Sequence, residues 1–128
     1  MTISKIYPAL FVLSAVFLSS CFIFNQNYSR NWQDSDLPGH IYASFDQFNG
    51  TQDFNAQKFA GKRMLVKYST EIKEGQLHIE IVCDHKIVLS RDVSASVKDS
   101  VGFDNPDHNP VKFIFKAKKA AGKFDITY

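Results

Sequence analysis

The sequence predicts an all-β protein: one antiparallel β-sandwich domain, jelly-roll-like, behind an N-terminal export segment. A small, partly open β-barrel fits the same pattern. Three observations predict it. Apolar residues alternate with polar ones in short runs from Ile41 to the C-terminus, and only a pleated strand puts every second side chain on one face. Turn-forming residues separate the runs at intervals of roughly 8–14 residues, the spacing of antiparallel sandwiches and barrels. No segment after residue 21 keeps a helical period beyond about two turns.

Length and composition agree. The chain has 128 residues, enough for one domain. Its 15 basic and 13 acidic residues leave a net charge of +2, so no global field favours nucleic acid. Twelve Phe against six Gly and four Pro exclude a disordered or collagen-like chain. Two Cys exclude a disulfide-dense scaffold.

The first element is an export signal. Met1 to Lys5 carry a single positive charge, and Ile6 to Leu18 is an uncharged, mostly apolar run of thirteen residues. That length suits a signal h-region and is short for a membrane span. Leu18-Ser19-Ser20-Cys21 closes it and resembles the lipobox of bacterial lipoproteins. The resemblance implies that residues 1–20 are removed and that Cys21 carries a diacylglycerol and an N-acyl chain, typically palmitate. Phe22 follows where Asp would mark inner-membrane retention. The implied location is therefore the outer membrane of a Gram-negative cell, or the outer face of the membrane of a Gram-positive one. Two other readings stay open. Ile6 to Phe24 gives nineteen residues that could form an uncleaved anchor. Alternatively, an ordinary peptidase cleaves the signal and Cys21 pairs with Cys83.

Residues 21–40 read as the lipidated Cys and a tether, rich in Asn, Gln, Ser and Asp and ending at the Pro38-Gly39 turn. Nineteen flexible residues span about 25 Å. Trp32 and Tyr28 within this stretch read as anchors packed on the sheet.

The sandwich is expected over residues 41–128. Met64, Val66 and Tyr68 form one alternating run; Leu77, Ile79 and Ile81 a second; Ile87 and Leu89 a third. Val111, Phe113, Phe115 and Ala117 form a fourth, and Phe124, Ile126 and Tyr128 a last one that reaches the C-terminus. Asn49-Gly50, Lys73-Glu74-Gly75, Asp84-His85 and Ala121-Gly122 read as the turns between strands. The longest gap, from Val93 to Asn109, reads as a long loop. A chain of this length buries roughly two thirds of its unfolded surface, enough for one core.

The run Tyr68-Ser69-Thr70-Glu71-Ile72-Lys73-Glu74-Gly75-Gln76-Leu77-His78-Ile79-Glu80-Ile81 and the close Ala120-Ala121-Gly122-Lys123-Phe124-Asp125-Ile126 resemble small bacterial lipoproteins of β-sandwich type. That resemblance covers about half the chain. It implies a fold and no activity.

Chemistry is sparse. No nucleophile elbow, zinc-protease helix, phosphate loop or Cys-x-x-Cys occurs, so the chain reads as a non-enzyme, without a cofactor beyond the acyl groups at Cys21 and without a metal. Cys83 and His85 have ligand chemistry, but a zinc or copper site would also need His78 and His108; a buried Cys beside a turn is the simpler reading. Two candidate binding surfaces remain. One is the long loop, where Asp104, Asp107 and His108 gather with Asn105 and Asn109; such oxygens suit calcium, and also any exposed turn. The other is basic: Lys112, Lys116, Lys118, Lys119 and Lys123 lie within twelve residues without an acid among them. Clustered ammonium groups attract anionic headgroups or polymers. Nucleic acid is disfavoured, because no aromatic stripe accompanies the charge.

These observations lead to a membrane-anchored extracytoplasmic lipoprotein acting as a non-catalytic binding or accessory module of the cell envelope. Its expected partners are the membrane, through the lipid, and an envelope protein or anionic envelope polymer. The alternative is an inhibitor or immunity-type lipoprotein that blocks an incoming hydrolase, toxin or phage.

Overall fold

Alternation runs further along the chain than turn chemistry suggests. The computed structural model describes residues 27–56 and 62–128, and they form strands β1 (Tyr28–Arg30), β2 (Gln33–Leu37), β3 (His40–Asn55), β4 (Arg63–Cys83), β5 (Lys86–Val93), β6 (Val97–Asp104) and β7 (Val111–Thr127). All pairings are antiparallel. The order is β1-β3-β7-β4-β5, with β2 on β3 and β6 on β4. The expected export signal and the expected lipidation at Cys21 lie outside the described residues.

Three strands are very long: β3 has 16 residues, β4 has 21 and β7 has 17. Each bends midway and serves two leaves of a sandwich. In the first leaf, β2, residues 40–45, residues 122–127, residues 63–72 and β6 lie side by side. In the second, residues 50–55, residues 111–118, residues 76–83 and β5 do so. β1 lies against residues 47–49, at the bend itself. The architecture is an all-β, antiparallel, jelly-roll-like sandwich made from one folded sheet.

The bend is encoded as a switch of parity. Along β4 the buried residues are Met64, Val66, Tyr68, Thr70 and Ile72, then Leu77, Ile79, Ile81 and Cys83. Even positions give way to odd ones. β7 switches the other way, from Val111, Phe113, Phe115 and Ala117 to Ala120, Phe124 and Ile126. β3 passes from Ile41, Ala43 and Phe45 to Phe48 and Phe54. Register shifts interrupt the ladders at these points, between Phe45 and Gly50 and between Ile72 and Gln76. Extra residues of this kind bend a strand and raise its twist. Gly75 (φ 70) and Gly122 (φ 149) make the crossing possible. A Cβ at Gly75 would overlap the Lys118 and Lys119 carbonyls, and one at Gly122 the Glu71 carbonyl.

Three expectations are corrected here. Asn49-Gly50, Lys73-Glu74-Gly75 and Ala121-Gly122 are not turns between strands; they are bends within β3, β4 and β7, because bulges reset the pleat without ending the ladder. The supposed tether contributes β1 and β2, so the paired structure begins at Tyr28, before residue 41. Gln33–Leu37 is polar because it forms an exposed edge strand. The long gap after Val93 contains β6, whose inward residues Val97, Val101 and Phe103 are only half-buried; the loop proper shrinks to residues 105–110. The strand that reaches the C-terminus lies between β3 and β4, in the middle of the sheet. The expected turns at Pro38-Gly39 and Asp84-His85 do join hairpins, pairing Leu37 with His40 and Cys83 with Lys86.

The core is aromatic. Phe45, Phe48, Phe54, Phe115 and Phe124 pack edge-on and stacked, and the half-buried Trp32 covers Phe45 at 5.5 Å and Phe48 at 5.1 Å. The expected packing of Trp32 on the sheet is therefore observed.

Candidate functional site

The core side of the long strands is filled mainly by buried apolar residues, so chemically diverse side chains stand on the outer faces, among them the outer face of the second leaf. Strand register dictates its composition. Thr51, Lys116, His78 and Asp92 form one row across four strands; Asp53, Ile114, Glu80 and Ser90 form the next. Adjacent rows on one face are close enough for polar side chains to meet.

His78 lies at the centre of the resulting network. Its Nδ1 is 2.6 Å from Asp92 Oδ1, and its Nε2 is 3.1 Å from Ser90 Oγ and 3.2 Å from Glu80 Oε1. Lys116 Nζ donates to the same Glu80 oxygen at 3.2 Å. The hydrogen bond from Lys116 holds the Glu80 carboxyl below its ordinary value, against the opposing effect of burial; the charge of Lys116 and the His78 ring add to the lowering. Glu80 is therefore ionised at neutral pH. The network borders a groove of about 790 Å³ that also takes in Asn27, Asn49, Thr51, Gln76 and Lys118. A smaller hollow of about 180 Å³ adjoins it, lined by Tyr28, Trp32 and Phe48 and sharing Asn27, Asn49 and Thr51 with the groove.

Ser90, His78 and Asp92 have the connectivity of a hydrolase triad. The arrangement differs from one in two respects. Glu80 competes with Ser90 for Nε2, so the ring is not dedicated to taking the Ser90 proton. Asp92 has 90% of its side chain exposed to water, whereas a triad acid is buried and orients the ring from a dry site.

The lysine cluster is split by the fold. Lys116 is in the groove and paired to Glu80, and Lys123 pairs with Glu71, directly opposite it in the first leaf, at 3.4 Å. Lys118 lines the groove. Lys119 lies in the bend with φ 48, its N–H donating to Asn49 Oδ1 at 3.2 Å. Lys112 is two residues up the strand from Ile114, next to Val82 and Asn55. The basic stripe read from the sequence is thus interleaved with carboxylates from β4.

The second candidate surface is organised differently from a cation site. Asp104 accepts from Arg63 Nη1 at 3.0 Å. Asn105 is buried and staples the loop: its Oδ1 accepts from Asn109 N–H at 2.8 Å and its Nδ2 donates to the Asn109 carbonyl at 2.9 Å. Its backbone N–H donates to Lys62 O at 2.7 Å. Asp107 and His108 stay on the exposed rim, with His108 at φ 51. Among the described residues no group of three or more His, Cys, Asp or Glu side chains is arranged to hold a metal ion. Cys83 turns into the core while His85 sits in the hairpin at φ 59, so the pair does not converge. Burial, with the Asp84 charge adding, pushes the Cys83 thiol up.

Sequence reasoning missed Glu80, Ser90, Asp92 and Gln76, and considered His78 only as a metal ligand. These residues are ordinary outward positions of two strands, and only the register joins them.

No family model matches the chain, and no curated protein is found similar to it. Among solved structures it is similar to Drosophila melanogaster CENP-C bound to CAL1, at 13% identity over 77% of this chain and 84% of that one, with a TM-score of 0.37. It is also similar to the Drosophila melanogaster CENP-C cupin domain, at 14% identity over 80% of each chain and a TM-score of 0.33. A third likeness is to hydroxypropylphosphonic acid epoxidase from S. wedmorenis, at 8% identity over 83% of this chain and 59% of that one, with a TM-score of 0.31.

Proposed function

We propose that the chain is a membrane-anchored extracytoplasmic lipoprotein whose domain is a non-catalytic binding module of the cell envelope. The observation that carries this reading is the polar groove around His78. Its groups stand on paired strands and are cross-braced by hydrogen bonds, so little side-chain entropy is lost when a ligand binds. The anchor rests on the lipobox-like Leu18-Ser19-Ser20-Cys21. Seven residues from Cys21 to Tyr28 extend at most about 25 Å, so a lipidated Cys21 would keep the groove close to the bilayer. The partner is then a component within reach of the membrane surface.

Two measurements on one preparation test the reading. Intact mass of the protein extracted from its native membrane gives the N-terminus. Loss of residues 1–20 with added acyl mass supports the anchor, and an unmodified full-length or a cleaved, unacylated mass refutes it. Co-sedimentation of the same protein with washed envelope fragments gives the binding. Retention that Gln76→Ala weakens supports the module, and the absence of any retention refutes it.

A further inference from the structure

We infer that the groove recognises an uncharged, polyhydroxylated ligand, a neutral oligosaccharide segment, rather than a polyanion; this rests on the binding-module reading above. Its charges balance: Lys116 and Lys118 line it together with Glu80 and Asp92, and Lys116 is already bonded to Glu80. An anionic chain laid in the groove would meet the ionised Glu80 and the exposed Asp92, and like charges in contact disfavour a partner strongly. Hydroxyl groups face no such penalty. Each both donates and accepts, and the groove presents both kinds of partner, carboxylate oxygens on Glu80 and Asp92 and an exposed amide on Gln76. The adjoining hollow supplies the other half of sugar recognition. Tyr28 is 41% exposed there, and its ring is an apolar plane with a polar tip on which the C–H face of a pyranose can pack. The groove's size, about 790 Å³, falls within the usual range of ligand sites, about 300–1,000 Å³.

The test is calorimetry of the full-length protein in detergent against neutral hexasaccharides of the β-glucan, chitin and mannan types, with polygalacturonate as the polyanion. At least one neutral sugar should bind, with affinity changing less than about twofold between low and high salt, since no ion pairing is involved. Gln76→Ala and Tyr28→Ala should each weaken it about three- to tenfold, the range of a lost hydrogen bond or ring contact. Lys112→Ala, outside the groove, should not. Binding of polygalacturonate alone, abolished by high salt and by Lys118→Gln, overturns the inference. If no sugar of either kind binds while envelope fragments still retain the protein, the ligand class is wrong and the binding module stands. If the fragments do not retain it either, the reading on which the inference rests fails with it.

Discussion

Phe115 and Phe124 belong to one strand, β7, yet their rings stack with centroids 3.8 Å apart and planes 7° from parallel. Nine residues of straight strand would hold them about 30 Å apart. The strand therefore turns back over itself between them, and this contact joins the two leaves at the centre of the core. Phe124→Ala removes a fully buried ring from that contact and should cost about 3–5 kcal/mol. Urea denaturation measures it; a loss below about 1 kcal/mol would mean that the leaves do not meet there.

The bend depends on glycine where backbones cross. Gly122→Ala would press a methyl against the Glu71 carbonyl, at a φ of 149 that side chains rarely adopt. Gly102→Ala meets only the flexible end of Arg63, 3.0 Å away. The first substitution should lower the melting temperature severely or prevent folding, and the second should leave it within a few degrees. Equal effects would show that β7 and β4 do not cross at Gly122.

Thr70 is buried in β4 beside the bend, and its hydroxyl has no hydrogen-bond partner among the described residues. Thr70→Val keeps the shape and removes the desolvated polar atom, so it should stabilise the domain by up to about 1 kcal/mol. A loss of stability in chemical denaturation would mean that the hydroxyl is satisfied in solution.

The Glu80–Lys116 pair predicts an acid sensitivity. The folded-state carboxyl titrates below its ordinary value of 4.5, chiefly through the Lys116 hydrogen bond. Its contribution is thus fully present above pH 4.5 and is lost as the pH falls below that through the lowered value. Lys116→Gln should flatten the fall in stability within that acid window and change little above it. A variant with the unchanged acid profile would show that the pair is not formed.

The hairpin at Asp84-His85 shows how far the sequence could be read. Its two-residue turn is visible, and it pairs Cys83 with Lys86 and Val82 with Ile87. Continued without interruption, that register sets His78 opposite Arg91. A bulge between Ile81 and Val82 adds one residue to β5, and the true neighbour is Asp92. Nothing in Lys86-Ile87-Val88-Leu89 marks the bulge, so the His78 network could not be assembled from spacing. The strands themselves were legible because burial enforces alternation. Their continuity was hidden because a bulge and a turn use the same residues: Lys73-Glu74-Gly75 suits either. The parity switch from Ile72 to Leu77 was the available signal, since a five-residue offset cannot keep one face of an uninterrupted strand buried. The lysines were conspicuous, but their partners Glu80 and Glu71 come from another strand, 36 residues before Lys116 and 52 before Lys123.

We propose that recognition occurs on the outer face of the second leaf. Amide chemical-shift mapping of the full-length protein during titration with solubilised envelope polysaccharide tests it directly. The predicted result is a contiguous set of shifts at Thr51, Gln76, His78, Glu80 and Lys116, with residues 104–109 unmoved. Shifts confined to Asp104, Asp107 and His108, or to Lys112 and Lys123 without the His78 network, would contradict it.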